Sequence, residues 1–530
     1  MSVAVEISDS LSAGNLLWKY WASKTNKTSS IYWIFVSAFK IKEWAEIADA
    51  LFTVEQNIFS DSKFAYSEPC FKDVKIILSF FAKDSAKSRE SGKSLPMINK
   101  FAIFSLYHTM ELHSSMWYNG NMKVWIKYII GIILGVVASF ILPLDNAAAS
   151  DFLAFLTELF VRIGRYLVVP LIFSTVIVSI NKLRTSKLIW KTFLWTFAII
   201  IISSLVLTLI GIASISLVKL PRIPITVEAV TETYNLNVKQ LILSLFPYSA
   251  FESLGDGAFL LVAFVFAFLI GWESGSEQTL FKPVFSLADS CSKLFYNIAV
   301  FFTEVMAVCI VAIMTNWMIT FRDIWDTGIY TPLILMLLCD FVIIVGIIYP
   351  LIIRFLCHDP HPYRVLYASI APMLLGFVGG DSNLTLPLSI RHGKESLGIR
   401  RRVGGVTYPL FSIFAKGGAS LVVAISFILI WKSYSSLSFS LTDMIWIFAM
   451  AFSIPFLLGN VPSGVAFIVL VIICGQYAKG FETSFLLLKP AALVLCSFAS
   501  IIDVATSMFG SYIVAVKTKM VEHHNISHFI

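Results

Sequence analysis

Between residues 124 and 516 the chain alternates long apolar runs with short polar connections, and the run lengths carry the first information. A helix needs about 20 apolar residues to cross a bilayer. Runs at 124–142 (ended by Pro143), 152–180, 189–218, 296–320 and 332–356 approach or exceed that, and 258–272 closes a fourth, broken element. The run 152–180 carries Arg162 and Arg165 in its first half and Pro170 as a predicted kink. In residues 1–120 the apolar patches, such as 31–39 and 74–81, are too short to span.

After residue 362 regular spans give way to half-length pieces. Segments 365–377 and 384–390 flank a polar tip of Gly379, Gly380, Asp381, Ser382 and Asn383. The run 403–431 is interrupted at Ala415-Lys416-Gly417-Gly418. Segments 444–458 and 465–476 flank Gly459-Asn460-Val461-Pro462-Ser463-Gly464, and 485–516 carries Asp503, Thr506 and Ser507. The pattern predicts a hairpin over about 362–392, a broken helix over 403–431, a second hairpin over about 442–476 and a last helix over 485–517. In lipid every backbone polar group must be satisfied internally, so broken helices at membrane depth survive only where they are buried in protein or line a cavity. Hairpin, broken helix, hairpin, polar helix reads as one unit used twice, and such interrupted segments in two halves point to a transporter's binding site.

Composition agrees. Hydrophobic residues are 57% and charged residues 14% of 530, with mean hydropathy +0.81, against about 25% charged in soluble domains. Residues 1–120 hold 25 of the 73 charged side chains. This segment lacks the basic start and apolar core of a cleavable signal peptide. It reads either as a cytoplasmic extension of low order or as sequence outside the natural coding region, with synthesis starting at Met116 or Met122; the balance tips to the second. Residues 121–520 form the membrane domain and 521–530 a tail. The net charge of +7 does not point to nucleic acid, because the basic residues cluster between apolar spans, where they set orientation. With the N-terminus inside, the inner loops hold Lys182, Arg184, Lys187, Lys282, Lys293, Arg354, Arg364, the cluster at 391–402, Lys517 and Lys519. Lys219, Arg222, Lys239, Arg322 and Lys479 fall outside, so the rule holds on balance. Both termini are thus expected in the cytoplasm and the protein in the inner or plasma membrane. The seven cysteines are scattered without a C-x-x-C, which indicates neither a disulfide framework nor a zinc site.

Specific residues carry a family resemblance. Phe160-Val161-Arg162 through Pro170-Leu171-Ile172-Phe173, and Asn383-Leu384-Thr385-Leu386-Pro387, resemble the second helix and first hairpin tip of the dicarboxylate/amino-acid:cation symporters, the glutamate-transporter family. Tyr408-Pro409-Leu410 with Lys416-Gly417-Gly418 lies where that family has L-P-L and then N-M-D-G-T. Val461-Pro462-Ser463-Gly464 resembles G-V-P-G of the second hairpin, and Ile502-Asp503 with Ser507-Met508 resembles I-D-x-x-x-D-M of the last helix. The matches are in order over about 121–518. The resemblance implies an all-α polytopic membrane protein with eight transmembrane helices, two re-entrant hairpins in inverted repeats and elevator motion. It further implies a homotrimer in the lipid bilayer and symport of an amino acid or dicarboxylate with sodium or protons. No cofactor beyond a coupling Na+ or H+ is expected.

The chain departs from the family where solute and cations are held. The N-M-D-G-T positions read Ala415-Lys416-Gly417-Gly418-Ala419, Ser507 replaces a carboxylate, and Gly510 stands where members taking acidic solutes have Arg. No Arg follows Asp503 anywhere in the chain, so a bidentate partner for a solute side-chain carboxylate is missing. Val514 and Thr518 stand where the family has Asn and Asp.

The candidate solute-binding residues are Asp381, Ser382, Asn383, Thr385, Val461, Pro462, Ser463, Gly464, Asp503, Thr506 and Ser507; Lys416, Gly417, Gly418 and Asp503 are the candidate coupling residues. Lys416 admits two readings of equal weight. It is a tethered cation in place of bound sodium, paired with Asp503 or Asp381, or it is a structural ion pair or a snorkelling side chain. Proton coupling is a weaker third, since Lys shifts its pKa readily on burial. The polar tip either offers donors to a solute or is a turn satisfied by its own Asp and Asn side chains. Thr506 and Ser507 either line the site or bond back to helix carbonyls. His358-Asp359-Pro360-His361 reads as a solvated turn, and Glu158, Glu273 and Glu304 as residues reaching the interface. No nucleophile–base pair points to an enzyme. The leading expectation is a secondary transporter of a small organic solute, an amino acid or dicarboxylate, coupled to sodium or protons or with altered coupling. The lost Arg and carboxylate favour a neutral or otherwise altered solute over classical sodium-glutamate symport. The alternative is a transport-inactive paralogue that serves as an interaction partner or an anion leak.

Overall fold

A computed structural model describes residues 123–141, 147–218, 220–224, 260–276, 279–434, 440–459, 461, 464–477, 481–522 and 529. Expectations for residues 1–120 and for Asn460, Pro462 and Ser463 lie outside the described residues. Among the described residues seven helical stretches are long and apolar enough to cross a membrane, and four shorter apolar helices accompany them.

The first spans follow the apolar runs closely: α1 is Val124–Ile141 and α4 is Ile189–Leu217. Between them the expected single span is two helices, α2 (Ala147–Tyr166) and α3 (Val168–Thr185). Pro170 has no N–H for the carbonyl of Tyr166, so the interruption falls one turn before the proline. The fourth element, α5, is described over Leu260–Ser274.

The largest difference from expectation is α6, which runs unbroken over Lys282–Asp326 for 45 residues. At about 1.5 Å per residue that is roughly 68 Å, more than twice the roughly 30 Å hydrocarbon thickness. Its amphipathic ends are helix as well, a continuation that an apolar window cannot see. The next span is α7 (Thr331–Ile343), a π turn at Ile344–Ile348 and α8 (Tyr349–Cys357). The π turn sits one residue ahead of Tyr349-Pro350, where the proline removes a ladder donor.

The half-length pieces are α9 (Tyr363–Gly379), α10 (Leu386–Glu395), α11 (Arg401–Phe414), α12 (Gly417–Tyr434), α13 (Leu441–Leu457) and α14 (Val465–Tyr477). The last helix, α15, is Ala492–Lys517 and begins later than 485. Residues Ser484–Leu488 form a 3-10 turn, because Pro490 cannot continue an α-helix past Leu486. An antiparallel bridge between Ile399 and Val521 ties the start of the tail to the loop before α11.

Burial sorts the helices into a centre and a rim. The α11–α12 stretch is 94% buried in its most apolar window and α15 83%, against 33% for α4 and 39% for α1. The rim helices present bare apolar side chains, among them Ile133, Phe140, Leu194, Ile202 and Leu338. In the centre α9, α11 and α12 each pack on α15, α10 packs on α9 and α11, α3 packs on α11, and α14 packs on α12 and α13.

Candidate functional site

Glycines set the approach distances around the break. A Cβ on Gly418 would lie 2.3 Å from the carbonyl oxygen of Ala499, and one on Gly417 2.7 Å from Leu207. The first turn of α12 is therefore pressed between α15 and α4, and no larger residue fits without moving backbone. A Cβ on Gly376 would lie 2.9 Å from Val504, which brings α9 onto the same stretch of α15. From beyond α13, a Cβ on Gly459 would lie 3.0 Å from both the carbonyl and a methyl of Ile413, the residue before Phe414. The end of α13 thus touches the end of α11. Val461 and Gly464 follow it, the latter at φ +74°, where an L side chain is strained.

The first tip turns at Gly380, φ +60°. Asp381 is buried there; its Oδ1 accepts the Asn383 amide at 2.9 Å and its Oδ2 the Leu384 amide at 3.3 Å. For Asp381 the turn reading of the tip is what the geometry shows. The same carboxylate pairs with Arg165 Nε of α2 at 2.8 Å. Beside it, a Cβ on Gly164 would lie 2.3 Å from Leu384, so α2 lies directly against the tip.

Asp503 makes a comparable contact at the break, where its Oδ1 accepts the Gly418 amide at 2.6 Å, with the Ala419 amide beside it. Both carboxylates thus sit where unsatisfied N–H groups lead into a helix, the end at which anions are favoured.

Lys416 is 3% exposed, and its Nζ donates to Ser382 Oγ at 2.7 Å. The expected direct pairing with Asp381 or Asp503 is not the contact formed, because each carboxylate is already engaged by amides. Both act on the ammonium at longer range. Lys416 therefore ties the broken helix to the first tip, and Ser412 Oγ does so again one turn earlier, donating to Asn383 Oδ1 at 2.6 Å. The other end of that amide, Asn383 Nδ2, is buried without a partner, as is Ser500 Oγ on α15. Thr385 Oγ1 donates to the Ser382 carbonyl at 2.8 Å. Thr506 bonds back to the Ile502 carbonyl at 2.8 Å and meets Tyr349 Oη at 2.6 Å, and Ser507 is buried on α15.

Sequence reasoning missed Arg165, Ser412 and Tyr349 as parts of this cluster. Arg165 had a legible signal, since an ionised group inside an apolar run needs a partner, but the partner lies 216 residues away. Glu304 pairs with Lys127 at 2.9 Å and with Arg391 at 2.7 Å, near the middle of the long α6. His361 N donates to Asp359 Oδ1 at 3.0 Å, the turn expected there.

Residues 124–517 match the Sodium:dicarboxylate symporter family, well over half of the chain and every element just described. The chain belongs to this family. A Proton/sodium-glutamate symport protein of Bacillus subtilis (strain 168) is 23% identical over 324 residues, 58% of this chain and 72% of that protein. Membership in the Sodium:dicarboxylate symporter family makes this a multi-pass membrane transporter of small solutes rather than an enzyme. Within that family frame, Gly510 has no room for a larger side chain, since a Cβ there would lie 2.3 Å from the ring of Phe411. The aromatic ring fills the space in front of α15 at that level.

Proposed function

We propose that the chain is a secondary active transporter of an amino acid or dicarboxylate, binding its solute among the first tip, the break at Ala415-Lys416, the second tip and α15. The observation that carries this reading is the charge balance of the cluster. Arg165, Asp381, Lys416 and Asp503 are two cations and two carboxylates, held in place by tip amides, helix-start amides and Ser382. An ionised group at membrane depth costs at least about 2.5 kcal/mol and normally faces a partner or a cavity. With Lys416 present the group is neutral without a bound metal ion, so Lys416 supplies a cation that coupling would otherwise bring, and solute uptake does not require sodium at this position. Asn383 Nδ2 and Ser500 Oγ, buried without partners, are the donors offered to the solute; buried polar atoms are nearly always satisfied. With Phe411 over Gly510, the solute's distal carboxylate, if it has one, is left to Lys416.

The finer architecture belongs to the same proposal. Eight membrane helices, with α5 as the close of the fourth, and two re-entrant hairpins, α9–α10 and α13–α14, make an inverted repeat in a homotrimer. Residues 121–520 form the transport unit, and its central helices move as an elevator against the rim with both termini in the cytoplasm.

Uptake of radiolabelled amino acids and dicarboxylates into proteoliposomes, with and without sodium and a proton gradient, tests the function. Accumulation of at least one solute is expected. Folded protein that takes up none of them would leave the transport-inactive reading in its place.

A further inference from the structure

At the end of the bundle remote from the tips, a cleft of about 920 Å³ opens between α3, α6 and the start of α11. Its walls carry Lys182, Lys282, Arg400, Arg401 and Arg402 against the single carboxylate of Glu522. Glu522 bonds Arg400 at 2.9 Å, while Asp289 just behind is shared among Lys182, Lys293 and Arg401. Six cations therefore share two carboxylates, and Lys282 and Arg402 pair with none among the described residues. Three of the cations also stand at the wrong end of their helices. Lys282 opens α6, and Arg401 and Arg402 open α11; neither helix has an acidic residue in its first turn or a capping side chain. Helix N-termini carry a partial positive charge and favour anions, so two such ends and their cations converge on one cleft with only Asp289 and Glu522 to offset them.

Beside the cleft a bare apolar stripe runs from just before α6 along one face of its first turns. Leu280, Val284, Leu287 and Leu294 are 64%, 45%, 67% and 57% exposed and recur at helical spacing along one stripe, with Phe285 turning into the cleft. We propose that this cleft binds an anionic phospholipid, its phosphate between Lys282, Arg402 and the start of α11 and its acyl chains along the α6 stripe. A soluble phosphate would use the cations but not the stripe, and a zwitterionic lipid would use the stripe but gain little from the excess charge. A volume near the upper end of small-ligand pockets suits a headgroup with its glycerol. Basic pockets between membrane helices take anionic headgroups by this chemistry.

The test titrates the full-length protein in detergent with phosphatidylglycerol, phosphatidylcholine or inorganic phosphate, reading bound lipid by native mass spectrometry and midpoint shift by thermal unfolding. Phosphatidylglycerol is expected to bind and raise the midpoint. Lys282→Gln and Arg402→Gln each weaken it about five-fold, on about 1 kcal/mol per surface cation, and Lys489→Gln, at another exposed lysine, leaves it unchanged. Equal binding of phosphatidylcholine overturns the proposal, as does an equal midpoint shift from inorganic phosphate, which would give the cleft to a soluble anion. The wild-type arm stands if a variant fails to fold: its lipid binding must fall as salt rises, and salt-independent binding refutes it.

Discussion

Replacing Lys416 by Met isolates the charge on which the proposed coupling rests. The two side chains are similar in length, so Lys416→Met keeps the fill of a site that is 3% exposed and removes the ammonium and its 2.7 Å bond to Ser382. Two buried carboxylates then face the single guanidinium of Arg165, which is bonded to Asp381. Leaving a buried charge uncompensated costs about 3–5 kcal/mol, equivalent to a factor of roughly 150 to 4,000 in an equilibrium. The Gly418 amide offsets part of that for Asp503, so the lower end is expected. At alkaline pH, where Asp503 cannot simply take up a proton, a sodium ion near it restores neutrality, and the variant therefore gains a cation requirement. In proteoliposomes, initial uptake by Lys416→Met should fall at least ten-fold when external sodium is replaced by choline, while the wild type is unaffected. Equal uptake by variant and wild type in both salts would remove Lys416 from the mechanism.

The other perturbations probe the geometry around that charge. Arg165→Gln strips the partner from Asp381, whose side chain is fully buried, and should cost about 3 kcal/mol; the Arg165→Gln/Asp381→Asn double variant should be less destabilised than the single one in thermal unfolding. Gly418→Ala drives a methyl into the Ala499 carbonyl and should cost about 1–3 kcal/mol, whereas an unchanged midpoint would mean that α12 and α15 separate freely. Asn383→Ala removes the unpartnered amide end together with the acceptor of Ser412 Oγ, so it should raise the KM for solute about ten-fold, the worth of one hydrogen bond of about 1.4 kcal/mol, and also lower the unfolding midpoint. A KM that does not move would take Asn383 out of the solute site.

Much of the centre of the fold was legible because its signals are local. Gly379-Gly380 and Asp381 marked a tip, and Ala415 to Gly418 marked a break; each is a place where the helix is interrupted. What escaped depended on contacts across the fold. The 216-residue reach from Arg165 to Asp381, the Ser412–Asn383 bond and the filling of Gly510 by Phe411 leave no periodic trace. Lys416 was found as an anomaly of composition, yet its bonded partner proved to be a serine, because tip and helix-start amides hold the carboxylates first. Helix lengths failed in a third way: α6 is amphipathic where it leaves the apolar window, and such a continuation looks like loop to a hydropathy reading.

The most direct test of the central claim is the initial rate of wild-type solute uptake into proteoliposomes with sodium fully replaced by choline. The charge balance of Arg165, Asp381, Lys416 and Asp503 predicts an unchanged rate; a collapse of uptake without sodium would contradict it.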